Sequence, residues 1–381
     1  MRQSMQKIVP ADELLCHQTP ETFATISQAD ISWTEKLWAS LFARDGSLQV
    51  DCGIGKYHNR NVIDMFAGIS RGTEQLTVRA SRRLDSDPDR VGVGPLDYEV
   101  VEPLKAVRFV LRENHLLPIR FDLTVTGVLP PFLEAKDGQR EPDGFRICSD
   151  LLRYHQASTV CGRIWIDGEQ IEVRDDEWFG FRDHSWGVRM DVGEPPPDVH
   201  RRQRLDGNFI LTWSPMWMRN PDGTSYEVHH YHQWVDGKTT YFSGFVNHPD
   251  GTQTPLHNVQ DELKFDPVNR RLLGGKMTFD AGWGQTRTVE IEPASDTGFH
   301  LGTGLYFGFK GHRHGTWLGE SHLDGERYAD VSDPDTAREV HQLRDCVIRC
   351  REGDATGYGI FESMVIGEHP RYGLTRESSF L

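Results

Sequence analysis

The segment Trp178 to Arg189 reads Trp-Phe-Gly-Phe-Arg-Asp-His-Ser-Trp-Gly-Val-Arg and carries the densest chemistry in the chain. A histidine titrates near neutral pH, a neighbouring carboxylate sets its tautomer or raises its pKa, and a flat aromatic wall suits a greasy ligand. His184 is therefore the candidate acid–base group and Asp183 its charge partner. Trp186 is a candidate wall, and Arg182 and Arg189 are candidate anchors for a carboxylate or phenolate. The same residues admit a structural reading: Arg182 and Asp183 tie down a junction through buried hydrogen bonds, and Trp186 is core. Alternation along a strand puts His184 and Trp186 on one face and Asp183 and Ser185 on the other. Asp183 then reaches Arg182 or Arg189 only through a turn or bulge, which Gly180 and Gly187 permit.

A second cluster is His229-His230-Tyr231-His232-Gln233-Trp234. On a strand His230 and His232 share a face, and His229 points with Tyr231. A His-x-His pair ligates zinc or iron when one or two more ligands converge on it. His312 and His314 offer such a pair, and Glu227 or Glu320 a carboxylate, but the segments lack convincing ligand spacing. The expectation is no bound metal, with Tyr231 and His232 as catalytic pocket residues and Trp213 binding substrate. Gly302 to Gly308 is not a dinucleotide fingerprint, and neither a phosphate loop nor a Gly-x-Ser-x-Gly elbow occurs. No cofactor is expected.

The elements that must position these groups are strands. Asp-Gly, which supplies positive φ for tight hairpins, occurs at 45, 137, 143, 167, 206, 222, 236, 250 and 324. Val160–Ile166 and Glu169–Val173 flank one such pair as a hairpin. Arg120–Thr126, Leu263–Phe265, Lys276–Phe279, Arg287–Glu292 and Cys346–Arg351 also read as strands. Trp33–Ala43 fits an amphipathic helix and a strand equally, and Asp335–Gln342 reads as one helical turn. The class is all-β, as a sandwich or barrel.

The 381 residues favour two domains, and Gly193-Glu194-Pro195-Pro196-Pro197-Asp198 marks a boundary between Val192 and Arg202. A formal charge of −15 disfavours nucleic acid, and the basic run His200–Arg204 reads as a solvated loop. The 6 cysteines include no Cys-x-x-Cys pair, so neither a disulfide scaffold nor a zinc finger is indicated and a reducing cytoplasm is expected. Met1–Leu15 lacks a signal-peptide core, and no apolar run is long enough to span a membrane. A homodimer is compatible with this composition.

Phe-Gly-Phe-Arg-Asp-His-Ser-Trp-Gly-Val-Arg, with Phe121-Asp122-Leu123-Thr124 and Pro130-Pro131-Phe132 before it, resembles the carotenoid 1,2-hydratase (hydroxyneurosporene synthase) and AttH-like superfamily. The resemblance implies two lipocalin-like (calycin) antiparallel β-barrels packed together, and it makes Trp33–Ala43 a strand. The implied division is an extension over 1–30, a first barrel over 31–192, a linker over 193–202 and a second barrel over 203–381. In the carotenoid hydratases a His-x-Trp pair works with a downstream Tyr and Asp. His184 and Trp186 match the pair, but Phe209-Ile210-Leu211-Thr212-Trp213-Ser214 holds no Tyr-x-Asp, which argues against hydration of an isolated alkene. The leading expectation is a cofactor-independent lyase, hydratase or isomerase acting on a hydrophobic aromatic or isoprenoid molecule. A lipophile carrier and a metal enzyme built on His230 and His232 are the alternatives.

Overall fold

The computed structural model describes residues 8–17, 28–84, 90–141, 146–198, 200, 207–340 and 343–380. Trp33–Ala43 is a strand, and both of its faces are buried. Leu37, Ala39 and Leu41 enter one apolar core, while Trp38 and Phe42 enter another. Burial on both sides erases the polar–apolar alternation that marks a half-exposed strand, which is why periodicity left helix and strand equal.

The first antiparallel sheet runs, strand by strand, Glu74–Arg83, Val62–Arg71, Gln49–Tyr57, Trp33–Ala43, Trp178–Val188, Ile147–Ile166, Ile119–Gly127, Ala106–Leu111 and Leu96–Glu102. It curls into a half-barrel. Its far edge is covered by Ser321–Tyr328, a strand from late in the chain that pairs with Glu74–Arg83. The second sheet closes into an eight-stranded barrel. Closure comes where Gln253–Asp261 pairs with Leu272–Asp280 and where Phe209–Arg219 pairs with Ala355–Ile366. The fold is thus all-β and lipocalin-like, as the sequence led one to expect.

Three apolar layers result. Leu37, Val50, Ile63 and Val125 fill the first sheet's interior, and Val228, Met277, Val289 and Ile348 fill the second barrel. Between the sheets lies a layer dominated by aromatic rings, among them Trp38, Phe181, Trp213 and Trp217. The N-terminal turn Pro10–Glu13 leads into residues 14–17, which lie against the first sheet and put Leu15 in its core.

Asp167-Gly168 and Asp236-Gly237 each place both residues at positive φ, the two-residue hairpin geometry their sequence favours. Asp137-Gly138 and Asp324-Gly325, expected as turns, lie inside strands instead. Asp324 is held there by Arg79 on the neighbouring strand, and a Cβ on Gly325 would come within 2.7 Å of the Thr77 carbonyl oxygen. Asp143-Gly144 and Asp206 lie outside the described residues, as do most of the basic run, residues 201–204, and residues 199, 201 and 202 of the linker. The helix is Pro334–Val340; residues 341 and 342 are not described. The 6 cysteines, all among the described residues, form no disulfide. No helix among the described residues is long and apolar enough to cross a membrane.

Gly46 reports on how closely the two sheets pack. It sits at φ +78°, and a Cβ there would lie 2.2 Å from the carbonyl oxygen of Ala294, which follows a strand of the second barrel. Gly237, at φ +77°, faces open space. Gly46→Ala should therefore cost roughly 2–4 kcal/mol, from backbone strain plus overpacking. Gly237→Ala should cost only the strain, about 1 kcal/mol. Urea unfolding of the two variants checks the difference, and equal midpoints would refute the close contact.

Candidate active site

The Trp178–Val188 strand lies between Trp33–Ala43 and Ile147–Ile166, with unbroken register to both over the whole motif. No bulge forms at Gly180 or Gly187, so alternation sorts the motif strictly. Phe181, Asp183 and Ser185 face the second barrel, and Arg182, His184 and Trp186 face the interior of the first sheet.

On the inner face, Arg182 donates to both carboxylate oxygens of Glu13 at 2.6 and 2.9 Å and to the Gln156 Oε1 at 2.7 and 3.0 Å. His184 Nε2 lies 3.1 Å from Glu35 Oε1, and its Nδ1 lies 3.3 Å from the Tyr154 hydroxyl. Trp186 stacks on His17 with centroids 3.8 Å apart. The carboxylate partner of His184 is therefore Glu35, and Asp183 points away from it. Arg182 and Trp186 are engaged by the N-terminal segment.

On the outer face, Asp183 Oδ2 meets Arg153 Nε at 3.2 Å, and Arg189 donates to Ser185 Oγ at 2.5 Å. Tyr231 joins this layer from the second barrel, as does Trp213, whose indole donates to Glu134 Oε1 at 2.9 Å. His232 points the other way, into the second barrel beside Thr239 Oγ1 at 2.8 Å. His230 likewise contacts Thr212 and Phe279. His314 lies beside Asp64, and Glu320 pairs with Arg83 at the surface. His230, His232, His312 and His314 are thus not assembled into one site.

Four carboxyls crowd the layer between the sheets: Asp51 and Asp183 from the first, Asp345 and Glu362 from the second. Burial raises all four pKa values. Glu362 rises to about 7, the nearby Asp183 adding to burial while Arg153, Arg189 and Lys36 oppose it. Asp345 is pushed well above the carboxylate range by burial and by Glu362 and Asp51, although Trp38 Nε1 donates to its Oδ2 at 3.0 Å. Asp51 is pushed up by burial even though Gln49 Nε2 donates to it at 2.8 Å. Like charges this close do not all ionise together, so the group retains protons near neutral pH. Arg153, Asp183, Arg189, Tyr306 and Glu362 are half-buried, whereas Asp51 and Asp345 are sealed.

Beside them runs a second chain of charge. Glu134 Oε1 lies 3.1 Å from His155 Nδ1, and His155 Nε2 lies 2.6 Å from Glu227 Oε1, which accepts from Asn247 Nδ2 at 2.6 Å. Burial would depress the His155 pKa, but Glu227 and Glu134 together hold it up at about 10. His229 stacks on His155 at 4.1 Å, and burial and that neighbour keep it neutral. A wide groove of about 1200 Å³ lies elsewhere, at the edge of the first sheet near Arg82 and Arg90. Its Arg108 and Arg112 are matched by Asp122 and Asp97, so it offers no uncommitted cluster of charge.

Sequence reasoning missed Glu13, His17, Glu35, Asp51, Glu134, Arg153, His155, Asp345 and Glu362. The available signal was a carboxyl among apolar strand neighbours, as at Asp51 between Val50 and Cys52 and at Glu362, the one charged residue of Ala355–Ile366. Such a residue either faces solvent or is buried for a reason.

The chain belongs to DUF8625, a family of unknown function, whose model matches residues 8–375. The structure is similar to that of an AttH-like protein of Nitrosomonas europaea, with 12% identity and a TM-score of 0.53, over 87% of this chain and 92% of the other. Two further structures are similar at lower scores. Kievitone hydratase of Nectria haematococca gives 10% identity and a TM-score of 0.43 over 87% and 88% of the two chains. CghA gives 10% and 0.45 over 89% and 90%. No curated protein matches the sequence. The AttH-like resemblance read from the Arg-Asp-His-Ser-Trp-Gly segment is borne out, and what it establishes is the fold.

His155→Leu would leave Glu134 and Glu227 buried without the cation between them. A loss of about 3–5 kcal/mol is expected in denaturant unfolding. His230→Leu, which removes a neutral ring with one hydrogen bond to Thr212, should cost only about 1 kcal/mol. Equal losses would show that His155 carries no charge.

Proposed function

We propose that this protein is a hydratase-like enzyme, a lyase or isomerase, acting between its two sheets on a hydrophobic aromatic or isoprenoid small molecule. The chemistry is side-chain acid–base chemistry. One observation carries the reading: a carboxyl held near pH 7, Glu362, faces an aromatic layer with two guanidiniums beside it. A group whose pKa matches the working pH is an effective proton donor and acceptor, contributing about 10²- to 10⁴-fold.

Glu362 gives its proton to a carbon of a conjugated olefin or enol, and the carboxylate so formed takes the proton of the attacking water or of the adjacent carbon. The first outcome is hydration and the second isomerisation, and the carboxyl is regenerated in both. Trp213 and Tyr231 form the wall, and Arg153 and Arg189 hold a phenolate or carboxylate. His184, Arg182 and Trp186 lie behind the strand and support it, and His232 serves the second barrel.

Incubating the protein in D₂O with lipophiles extracted from its source cells, followed by mass spectrometry, tests this. Enzyme-dependent deuterium uptake is expected, falling about 10²-fold or more in Glu362→Gln with the fold intact. A lipophile bound and recovered without deuterium would make the protein a carrier, and a fully active Glu362→Gln would remove Glu362 from the chemistry.

Glu362 also predicts a stability trend. Its pKa is raised from 4.5 to about 7 on folding, so the folded state binds more protons between those values. The contribution is complete below pH 4.5 and is lost as pH rises towards 7, by at most about 3 kcal/mol. Glu362→Gln should therefore gain stability relative to wild type between pH 5 and pH 8. A constant difference across that interval would contradict the raised pKa.

A further inference from the structure

We propose that His17, Glu35 and His184 form a binding site for a divalent transition metal of the zinc class, which clasps the N-terminal segment to the first sheet. These residues come from the segment after Pro10–Glu13, from Trp33–Ala43 and from Trp178–Val188, so no local spacing in the sequence announces them.

Their donor atoms already converge. His17 Nδ1 and His184 Nε2 lie 2.6 and 3.1 Å from the same oxygen, Glu35 Oε1. Ligands at about 2.0–2.2 Å from a tetrahedral zinc stand roughly 3.4 Å apart, so a small opening of the cluster admits an ion. The ring orientations suit this: the imidazoles stand at 79° with centroids 5.6 Å apart, so both in-plane lone pairs can aim at one point. Glu35 and His184 are fully buried, while the His17 side chain is 17% exposed and gives the ion a way in.

The partners behind these ligands are also those a metal site needs. A ligating histidine usually donates its other N–H to a carboxylate or another acceptor, fixing tautomer and ring angle. His17 Nε2 lies 3.2 Å from Asp12 Oδ1, and His184 Nδ1 lies 3.3 Å from the Tyr154 hydroxyl. Trp186 lies flat on His17 and holds its plane. Asp12 and Glu35 supply two negative charges, and Lys56, donating to the Leu15 carbonyl at 2.8 Å, is a neighbouring cation.

The other buried trio, Glu134, His155 and His229, does not share these features. Its rings are stacked at 4.1 Å and 29°, so their in-plane lone pairs run side by side and do not aim at one point. This departs from the expectation of no bound metal, which rested on the spacing of the His230/His232 and His312/His314 pairs, none of which takes part here.

An ion at His17 would secure one end of a segment whose other end is secured by Glu13 and Arg182. It would lie on the opposite face of the strand from Asp183, apart from the layer assigned to chemistry. The test uses full-length protein freed of metal by a chelator and titrated with Zn²⁺, with Co²⁺ as an optical probe. About one equivalent of Zn²⁺ should bind, Co²⁺ should show the visible bands of a tetrahedral site, and Zn²⁺ should raise the melting temperature. His17→Ala should weaken binding at least 100-fold, and Asp12→Asn about 10-fold. Both residues lie on the segment outside the sheets, so neither variant endangers the fold; Glu35→Gln should abolish binding. Failure of wild type to bind, or wild-type affinity in His17→Ala, would overturn the site. So would Zn²⁺ uptake that His229→Ala abolishes and His17→Ala preserves, because the ion would then sit in the other trio.

Discussion

Everything in this molecule turns on one strand being buried on both faces. Trp178–Val188 is covered on one side by the N-terminal segment and on the other by the second barrel. A polar side chain on it has no water to turn to and must meet a partner on whichever side alternation sends it. Arg182 meets Glu13 and Asp183 meets Arg153, consecutive residues whose partners are far apart in the chain. A buried ion pair is weak evidence for stability, since desolvation offsets much of the attraction, but losing one partner is costly. The Arg182–Glu13 pair therefore does more to specify where the N-terminal segment docks than to add net stability. Without Glu13, a guanidinium that is 2% exposed would keep only its amide partner, Gln156.

The same constraint explains what was legible in the sequence. The turns at Asp167-Gly168 and Asp236-Gly237, the flanking hairpin and the all-β class were readable because turn chemistry is local, whereas the lipocalin-like architecture was implied only by the resemblance carried by the Arg-Asp-His-Ser-Trp-Gly segment. The division of the motif into two faces was readable too, since alternation needs no tertiary knowledge. The partners were not. Glu35 reaches His184 because the two strands pair with Leu37 opposite His184, and register between strands so distant in sequence leaves no mark on either. Trp33–Ala43 misled for the converse reason. Its two faces serve two different apolar layers, so neither needed to be polar.

The histidine cluster at 229–232 shows the limit of residue type as a guide. Alternation sent His230 and His232 into the second barrel, where burial keeps both rings neutral with pKa values near 3. His229 went to the layer between the sheets, beside His155 and Glu134. The consequential histidines, His17 and His155, stand in stretches with no motif. Only in space do carboxylates converge on them.

The three apolar layers differ in composition, and the difference bears on function. The interiors of the two sheets are largely aliphatic, which suits permanent packing. The layer between them is richest in tryptophan, phenylalanine and tyrosine, with aliphatic residues such as Leu211 and Ile360 among them, and also holds carboxyls, guanidiniums and a doubly clasped histidine. Rings make large contacts with flat ligands and keep a polar edge for hydrogen bonds. Burying Asp51, Asp183, Asp345 and Glu362 together opposes folding, and an aliphatic seam would join the sheets with less penalty. Adhesion alone therefore does not account for four such groups where the two sheets meet, and it is on this that the proposed function rests. Under the proposed function, their shared protons and neighbouring cations are what would bind and protonate a greasy molecule in that seam, between two largely aliphatic interiors.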